Sequence, residues 1–218
     1  MHNRVSGHVR EQSRGEELAN SISHGVALVA MLVGTPLLIM HAVRSGSAGF
    51  VVGTGVFAAT AILLYLSSTL YHALAPGQTK QRFRTIEHSA IFLLIAGTYT
   101  PFALGALQGA WSWTLFGLIW SLAAVGVTLK VFNSLSHPFL STGLYLLMGW
   151  LVVIAVDPLL EHVPTAGLLW LLAGGLSYTL GVVFFVTDSR LRYGHLLWHV
   201  FVMGGTGCHY FAILWYAA

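Results

Sequence analysis

Histidines within an apolar stretch are the residues of this chain whose type and spacing first suggest chemistry. The segment GHLLWHVFVMGGTGCHYFAI, residues 194–213, is apolar enough to cross a membrane, yet it contains three histidines. His195 and His199 are four residues apart, so on a helix they lie one above the other on the same face. Because neutral imidazole is a good zinc ligand, this HxxxH pattern predicts two ligands for one metal ion.

Polar residues in two other apolar segments could complete such a site. His72 could supply a third ligand, and Ser68, four residues earlier, shares its helix face as a partner or occasional substitute. Glu87 could accept a hydrogen bond from water on the metal, orient that water and take its proton. A catalytic zinc typically has three protein ligands and one open position, which this set of residues would provide.

A further group of polar residues opens the first apolar segment. Its members are Glu17, Asn20 and His24. An ionisable side chain within a membrane span costs about 2.5–3.5 kcal/mol on insertion scales, so each is a candidate functional residue. The alternative interpretation is that the histidines are interfacial and bind backbone carbonyls or lipid phosphates. HxxxH alone is a weak signal in a chain with 11 histidines.

The composition indicates the elements that must position these residues. Of 218 residues, 56% are hydrophobic and only 8% are charged, whereas soluble domains carry about 25% charged residues. A bilayer core requires about 20 apolar residues per helix. Seven segments qualify, at residues 19–43, 49–74, 86–107, 111–131, 138–156, 165–186 and 194–216. Because the connectors are short, we expect an all-α membrane protein with one seven-helix domain over residues 1–218, preceded within it by a polar segment at residues 1–18.

The basic residues predict the orientation of these spans, because short cytoplasmic loops carry an excess of lysine and arginine. A cytoplasmic N-terminus and an outside C-terminus place nine of the ten basic residues inside and only Arg44 outside. The candidate polar residues of four spans then lie at one depth, just inside the cytoplasmic leaflet. This convergence favours a site over scattered interfacial histidines.

Four ordered motifs resemble those of a known family. The stretches EELANSISH, SSTLYH, IEHSAIFLLIAGTYTPF and HLLWH carry ExxNxxxH, SxxxH, an acidic residue opening the third span, and HxxxH. They are similar to the bacterial hemolysin III-type proteins of the wider progestin and adiponectin receptor family. The resemblance extends from Glu17 to about Tyr210.

The resemblance implies a seven-helix bundle with a zinc ion held near the cytoplasmic side. It assigns the zinc ligands to His72, His195 and His199, the acidic residue near the zinc-bound water to Glu87, and the motif serine to Ser68. Several eukaryotic relatives have aspartate where this chain has Glu87. The first motif corresponds to Glu17, Asn20 and His24.

Three functions follow as hypotheses for a protein of the bacterial inner membrane. The first is a zinc-dependent hydrolase that cleaves an amide or ester bond of an acyl lipid, with Glu87 as general base. The second is a non-enzymatic regulator or sensor of membrane lipid state, in which zinc is structural. The third is cytolysis, which the family name suggests and for which the sequence offers no amphipathic inserting segment. Membrane lipids are the expected substrate or ligand, and no nucleic-acid partner is expected.

Overall fold

The described part of the chain is almost entirely helical. The computed structural model describes residue 10 and residues 12–134 and 138–218, and these contain no β-strand. The helices are α1 (Arg14–Ser45), α2 (Ala48–Ala73), α3 (Gln78–Pro101), α4 (Gly109–Val131), α5 (Pro138–Gly149), α6 (Val156–His162), α7 (Thr165–Thr187) and α8 (Gly194–Tyr216). A π-helical turn (Phe102–Ala106) extends α3, and a 3-10 turn (Leu151–Ala155) joins α5 to α6.

Seven of the resulting helical stretches are long and apolar enough to cross a membrane, which confirms the predicted all-α, seven-span architecture. Five spans are the single helices α1, α2, α4, α7 and α8. The third span combines α3 with the π-helical turn, and the fifth runs through α5, the 3-10 turn and α6.

The first and third helices begin earlier than the sequence indicates. α1 begins at Arg14 rather than at residue 19, so only part of the predicted polar segment precedes it, and residues 1–9 and 11 of that segment lie outside the described residues. Its start is fixed by a capping box, in which Ser13 Oγ accepts the Glu16 N–H and the Glu16 carboxylate accepts the Ser13 N–H. α3 begins at Gln78 instead of residue 86, so the basic stretch after Gly77 is part of this helix.

The fifth span is not the single helix that was predicted over residues 138–156. α5 ends at Gly149, and part of the stretch that we predicted as a connector forms α6. The hydroxyl of Tyr99 lies 2.9 and 2.8 Å from the carbonyl oxygens of Met148 and Gly149 and accepts the Val152 N–H at 2.9 Å. A side chain from α3 thus replaces backbone hydrogen bonds of the helix at the break.

The helix order brings the candidate residues to one end of the bundle. α1 packs against α2 and α8, and α2 packs against α3. Because consecutive spans alternate in direction, the beginnings of α1, α3 and α8 meet the end of α2 at the same end. The polar side chains of these four segments therefore lie close together, while α2 and α3 form the best-buried pair of spans.

Close packing of α2 against α3 depends on glycine. A Cβ atom at Gly53 would lie 2.7 Å from the Cα atom of Pro101, which is backbone and cannot turn aside. A Cβ atom at Gly117 on α4 would meet no heavy atom within 4 Å. Gly117 is therefore a matched control for a substitution at Gly53.

We expect Gly53→Ala to lower the stability of the folded protein by about 1–3 kcal/mol through overpacking. Gly117→Ala is expected to be neutral or to stabilise by up to about 1 kcal/mol, because alanine is the better helix former. Thermal unfolding of the two variants in detergent measures this difference. Equal midpoints would contradict the close approach of the two helices.

Candidate metal site

Three histidines from two helices converge where α1 begins. One ligand nitrogen each from His72 on α2 and from His195 and His199 on α8 lies within 4.8 Å of the others. The ring centroids of His195 and His199 are 4.8 Å apart, and that of His72 is 5.1 Å from each. The structure thus brings together the three residues that the sequence proposes as metal ligands.

Each of these rings forms a hydrogen bond through Nδ1. His72 Nδ1 lies 2.8 Å from Glu17 Oε2, and His195 Nδ1 lies 3.0 Å from Asp188 Oδ2. An ionised carboxylate only accepts hydrogen bonds, so in both cases the imidazole donates its Nδ1–H. In the neutral ring this places the free lone pair on Nε2.

The third ring has the same tautomer for a different reason. His199 Nδ1 lies 2.9 Å from Ser23 Oγ, a hydroxyl that could donate or accept. Ser23 already donates its hydroxyl proton to the Asn20 carbonyl at 2.8 Å, so it accepts from His199. All three histidines therefore present Nε2 lone pairs, the form in which imidazole binds a metal.

The Nε2 atoms of His72 and His199 are buried and have no hydrogen-bond partner among the described residues. An unpaired buried acceptor costs about 1–3 kcal/mol, and a metal ion would satisfy these lone pairs. Zinc sites are often formed by three histidines, each of which donates its other ring N–H to a partner in the protein. The three histidines of this cluster have that arrangement. The residues present therefore fit a metal ion.

Two more ligand-type residues border this cluster. Glu87 on α3 is buried, and its Oε1 lies 3.8 Å from His72 Nε2. His24 on α1 stacks on His199 with ring centroids 3.5 Å apart, and its own Nε2 has no partner among the described residues. His24, Glu87 and His199 form a second group whose ligand atoms lie within 4.8 Å of one another.

The remaining predicted residues lie around the cluster rather than in it. Ser68 Oγ is 2.7 Å from His24 Nδ1, so it supports His24 rather than His72. Asn20 donates from Nδ2 to Gln12 Oε1 at 2.7 Å, while its backbone carbonyl orients Ser23. Glu17 is the partner of His72. The ExxNxxxH motif thus contributes support to two of the three histidines.

Several supporting residues were not identified from the sequence. They are Arg10, Glu16, Ser23, Lys80 and Asp188. Glu16 accepts two hydrogen bonds from the Arg10 guanidinium, at 2.8 and 2.7 Å, and one from the Tyr193 N–H at 2.8 Å. It thereby connects α1 to the residue that precedes α8. The S-x-x-E pattern at residues 13–16 is the one signal that could have drawn attention to Glu16.

The charges around the site are balanced for a divalent cation. Glu16 and Glu17 each form a salt bridge, with Arg10 at 2.7 Å and Lys80 at 2.8 Å respectively. Within the described residues, Glu87 and Asp188 have no lysine or arginine at salt-bridge distance. A divalent ion at the histidines would add positive charge beside these two carboxyl groups.

An apolar cavity adjoins the polar cluster. It has a volume of about 100 Å³ between α3, α5, α7 and α8, and of the cluster described above only His24 and Glu87 line it. A second cavity of about 280 Å³ continues into the other half of the bundle and shares part of the wall with the first, including Tyr99 and His209. His209 contacts the Leu171 carbonyl at 3.3 Å and is no part of the metal cluster.

We expect the purified protein to contain one divalent ion per chain, lost in His72→Ala, His195→Ala and His199→Ala. Each substitution removes one of three converging lone pairs. His41→Ala, at an exposed position near the far end of α1, is the matched control and should retain the ion. Elemental mass spectrometry of the folded variants measures the content. Full metal content in the three cluster variants would contradict the site.

Comparison with known proteins finds relatives over most of the chain. The family model described as Haemolysin-III related matches residues 12–210. Hemolysin-3 of Bacillus cereus and the Hemolysin-3 homolog of Bacillus subtilis (strain 168) are each 42% identical over 201 residues, which cover 92% of this chain and 91% and 94% of theirs. The monocyte to macrophage differentiation factor of Homo sapiens is 31% identical over 213 residues, covering 91% of this chain and 83% of its own.

No solved structure is significantly similar. The resemblance found in the motifs is confirmed, and the chain belongs to the haemolysin-III related family of multi-pass membrane proteins.

Proposed function

We propose that this protein is a zinc-dependent hydrolase that cleaves an amide or ester bond of an acyl lipid. The observation that carries the proposal is the set of three anchored histidines, two of which, His72 and His199, have buried Nε2 atoms without a partner among the described residues, beside Glu87 at one end of an apolar cavity. The predicted orientation places this site near the cytoplasmic face of the bacterial inner membrane.

Zinc suits the donor set better than the harder divalent ions do. Magnesium and calcium prefer oxygen ligands, whereas imidazole nitrogen is a common ligand of zinc. When bound, zinc supplies a Lewis acid for a carbonyl group and lowers the pKa of bound water to about 7. The protein residues contribute geometry, proton transfer and the exclusion of bulk water.

Glu87 is the residue that would accept a proton during hydrolysis. Its Oε1 is 3.8 Å from His72 Nε2, so it borders the histidine cluster. It has no cationic partner at salt-bridge distance among the described residues, which leaves its oxygens available to accept a hydrogen bond and a proton. It also lines the cavity, and therefore a substrate there would lie against it.

Ser68 and His24 have different tasks in this proposal. Ser68 is fully buried and its contact is with His24 Nδ1, which supports a positioning role and not a nucleophilic one. His24 lines the cavity and stacks on His199, so it separates the lipid space from the metal ligands. Ser68 and His24 therefore lie between the cavity and the metal ligands, where the scissile bond of the substrate would approach the site.

The cavity supports a lipid as the substrate class. Its wall is mostly apolar, with Leu94, Ile95 and Val202 among its members. An acyl chain would fill this space while its polar linkage lies at His24 and Glu87.

We expect Glu87→Gln to retain the metal and to lose turnover by about 10²–10⁴-fold, because glutamine cannot take a proton. The measurement is hydrolysis of fluorescent acyl amide and acyl ester lipids by purified protein in mixed micelles, with metal content determined on the same sample. Glu161→Gln, at an exposed position on α6, is the control and should remain active. Wild-type turnover in Glu87→Gln would contradict the assigned base.

A second candidate is a non-enzymatic regulator of membrane lipid state with structural zinc. The neighbouring His24 favours it, because its buried Nε2 has no partner among the described residues and a fourth histidine ligand would close the coordination sphere. X-ray absorption of the zinc-loaded protein counts the imidazole ligands: three imidazoles and one oxygen support the hydrolase, and four imidazoles support the structural ion. Cytolysis, as in the names of the Bacillus relatives, ranks last because no feature of the described residues favours it.

A further inference from the structure

Lys80 differs from the other basic residues at this end of the bundle. It lies in the first turn of α3, in a stretch whose positive charge the orientation of the protein would by itself explain. Arg82 and Arg84 are exposed, but Lys80 is buried. Burying an ammonium group is costly unless it is paired, so this position requires a specific partner.

The partner of Lys80 is the carboxylate that holds a predicted metal ligand. Lys80 Nζ donates to Glu17 Oε1 at 2.8 Å, and Glu17 Oε2 accepts from His72 Nδ1 at 2.8 Å. The two carboxylate oxygens are thus divided between a cation and an imidazole. Since both oxygens are engaged, the Glu17 side chain is fixed in one orientation.

Lys80 also connects the end of α2 to the beginning of α3. Its Nζ donates to the carbonyl of Leu74, which caps α2, at 3.2 Å and lies 4.9 Å from the ring centroid of Tyr71. A cation at a helix C-terminus satisfies terminal carbonyls and interacts favourably with the helix dipole. His72 lies in this last turn of α2, between the two residues that Lys80 contacts.

We propose that Lys80 is a positioning residue of the metal site, acting through Glu17 on the orientation and tautomer of His72. The inference rests on the metal site of the proposed function and adds to it an outer cation on a third helix. The Glu17 side chain is one quarter exposed, so without Lys80 its carboxylate is free to turn towards solvent. His72 would then lose the partner that keeps its lone pair on Nε2.

The test measures zinc affinity of the full-length protein in detergent by competition with a chelator. Lys80→Met and Glu17→Gln are each expected to weaken zinc binding by about 10–100-fold, the usual effect of removing an outer partner of a ligand histidine. Arg82→Met removes a charge from the same stretch without a comparable contact and should stay within about twofold of wild type. Thermal unfolding of the metal-free variants accompanies each titration.

The double variant Lys80→Met/Glu17→Gln separates positioning from a structural role. If Lys80 acts through Glu17, the double variant binds zinc within about twofold of Glu17→Gln, because the second change removes nothing further. Losses that multiply, or wild-type affinity in Lys80→Met, would overturn the inference. Lys80→Gln replaces Lys80→Met if the latter does not fold, and the same loss is expected. Absence of zinc binding in the wild type would instead reject the metal site itself.

Discussion

A histidine buried in a membrane-spanning bundle has two ring nitrogens to satisfy in surroundings that offer neither water nor lipid headgroups. At the end of the bundle where α1 begins, one nitrogen of each of the three clustered histidines is satisfied by the protein, through Glu17, Asp188 or Ser23. The three side chains lie together, with one ligand nitrogen of each within 4.8 Å of the others. Desolvation therefore explains both why the supporting residues are polar and why the unpaired lone pairs are concentrated in one place.

The supporting groups form an outer layer that is itself neutralised further out. Glu17 is paired with Lys80, and Glu16 with Arg10, so the carboxylates of this outer layer are compensated. Towards the centre of the bundle the polar groups give way to apolar side chains. There Tyr99 interrupts the fifth span and forms part of the wall of both cavities. The same break that shortens α5 thus shapes the space next to the candidate site.

Most of the architecture follows from the sequence because it depends on one-dimensional patterns. Apolar length determines the seven spans, and HxxxH spacing places His195 and His199 on one face. Alternating span direction then brings His72 to the same end. The break after Gly149 was not predictable, because its cause is a hydroxyl on another helix.

The supporting residues of the site were harder to identify for a related reason. Asp188 and Ser23 are ordinary loop and helix residues until packing places them against an imidazole. Lys80 was assigned to membrane orientation because its neighbours Arg82 and Arg84 are indeed exposed. Only the pairing across α1, α2 and α3 distinguishes it from them.

The contacts of α1 also have a mechanical consequence. Glu16 and Ser23 are seven residues apart, so both face α8 two turns apart, whereas Glu17 is rotated by about 100° towards α2. Contacts on two different turns and on two faces of α1 restrict both its rotation about its own axis and its shift along that axis. α1 is 32 residues long and exceeds the thickness of a bilayer core, so its excess length is accommodated by tilting, bending or protruding from the core. Because its first turns contact α2 and the residue before α8, any tilt of α1 would move the side chains that support the histidine cluster.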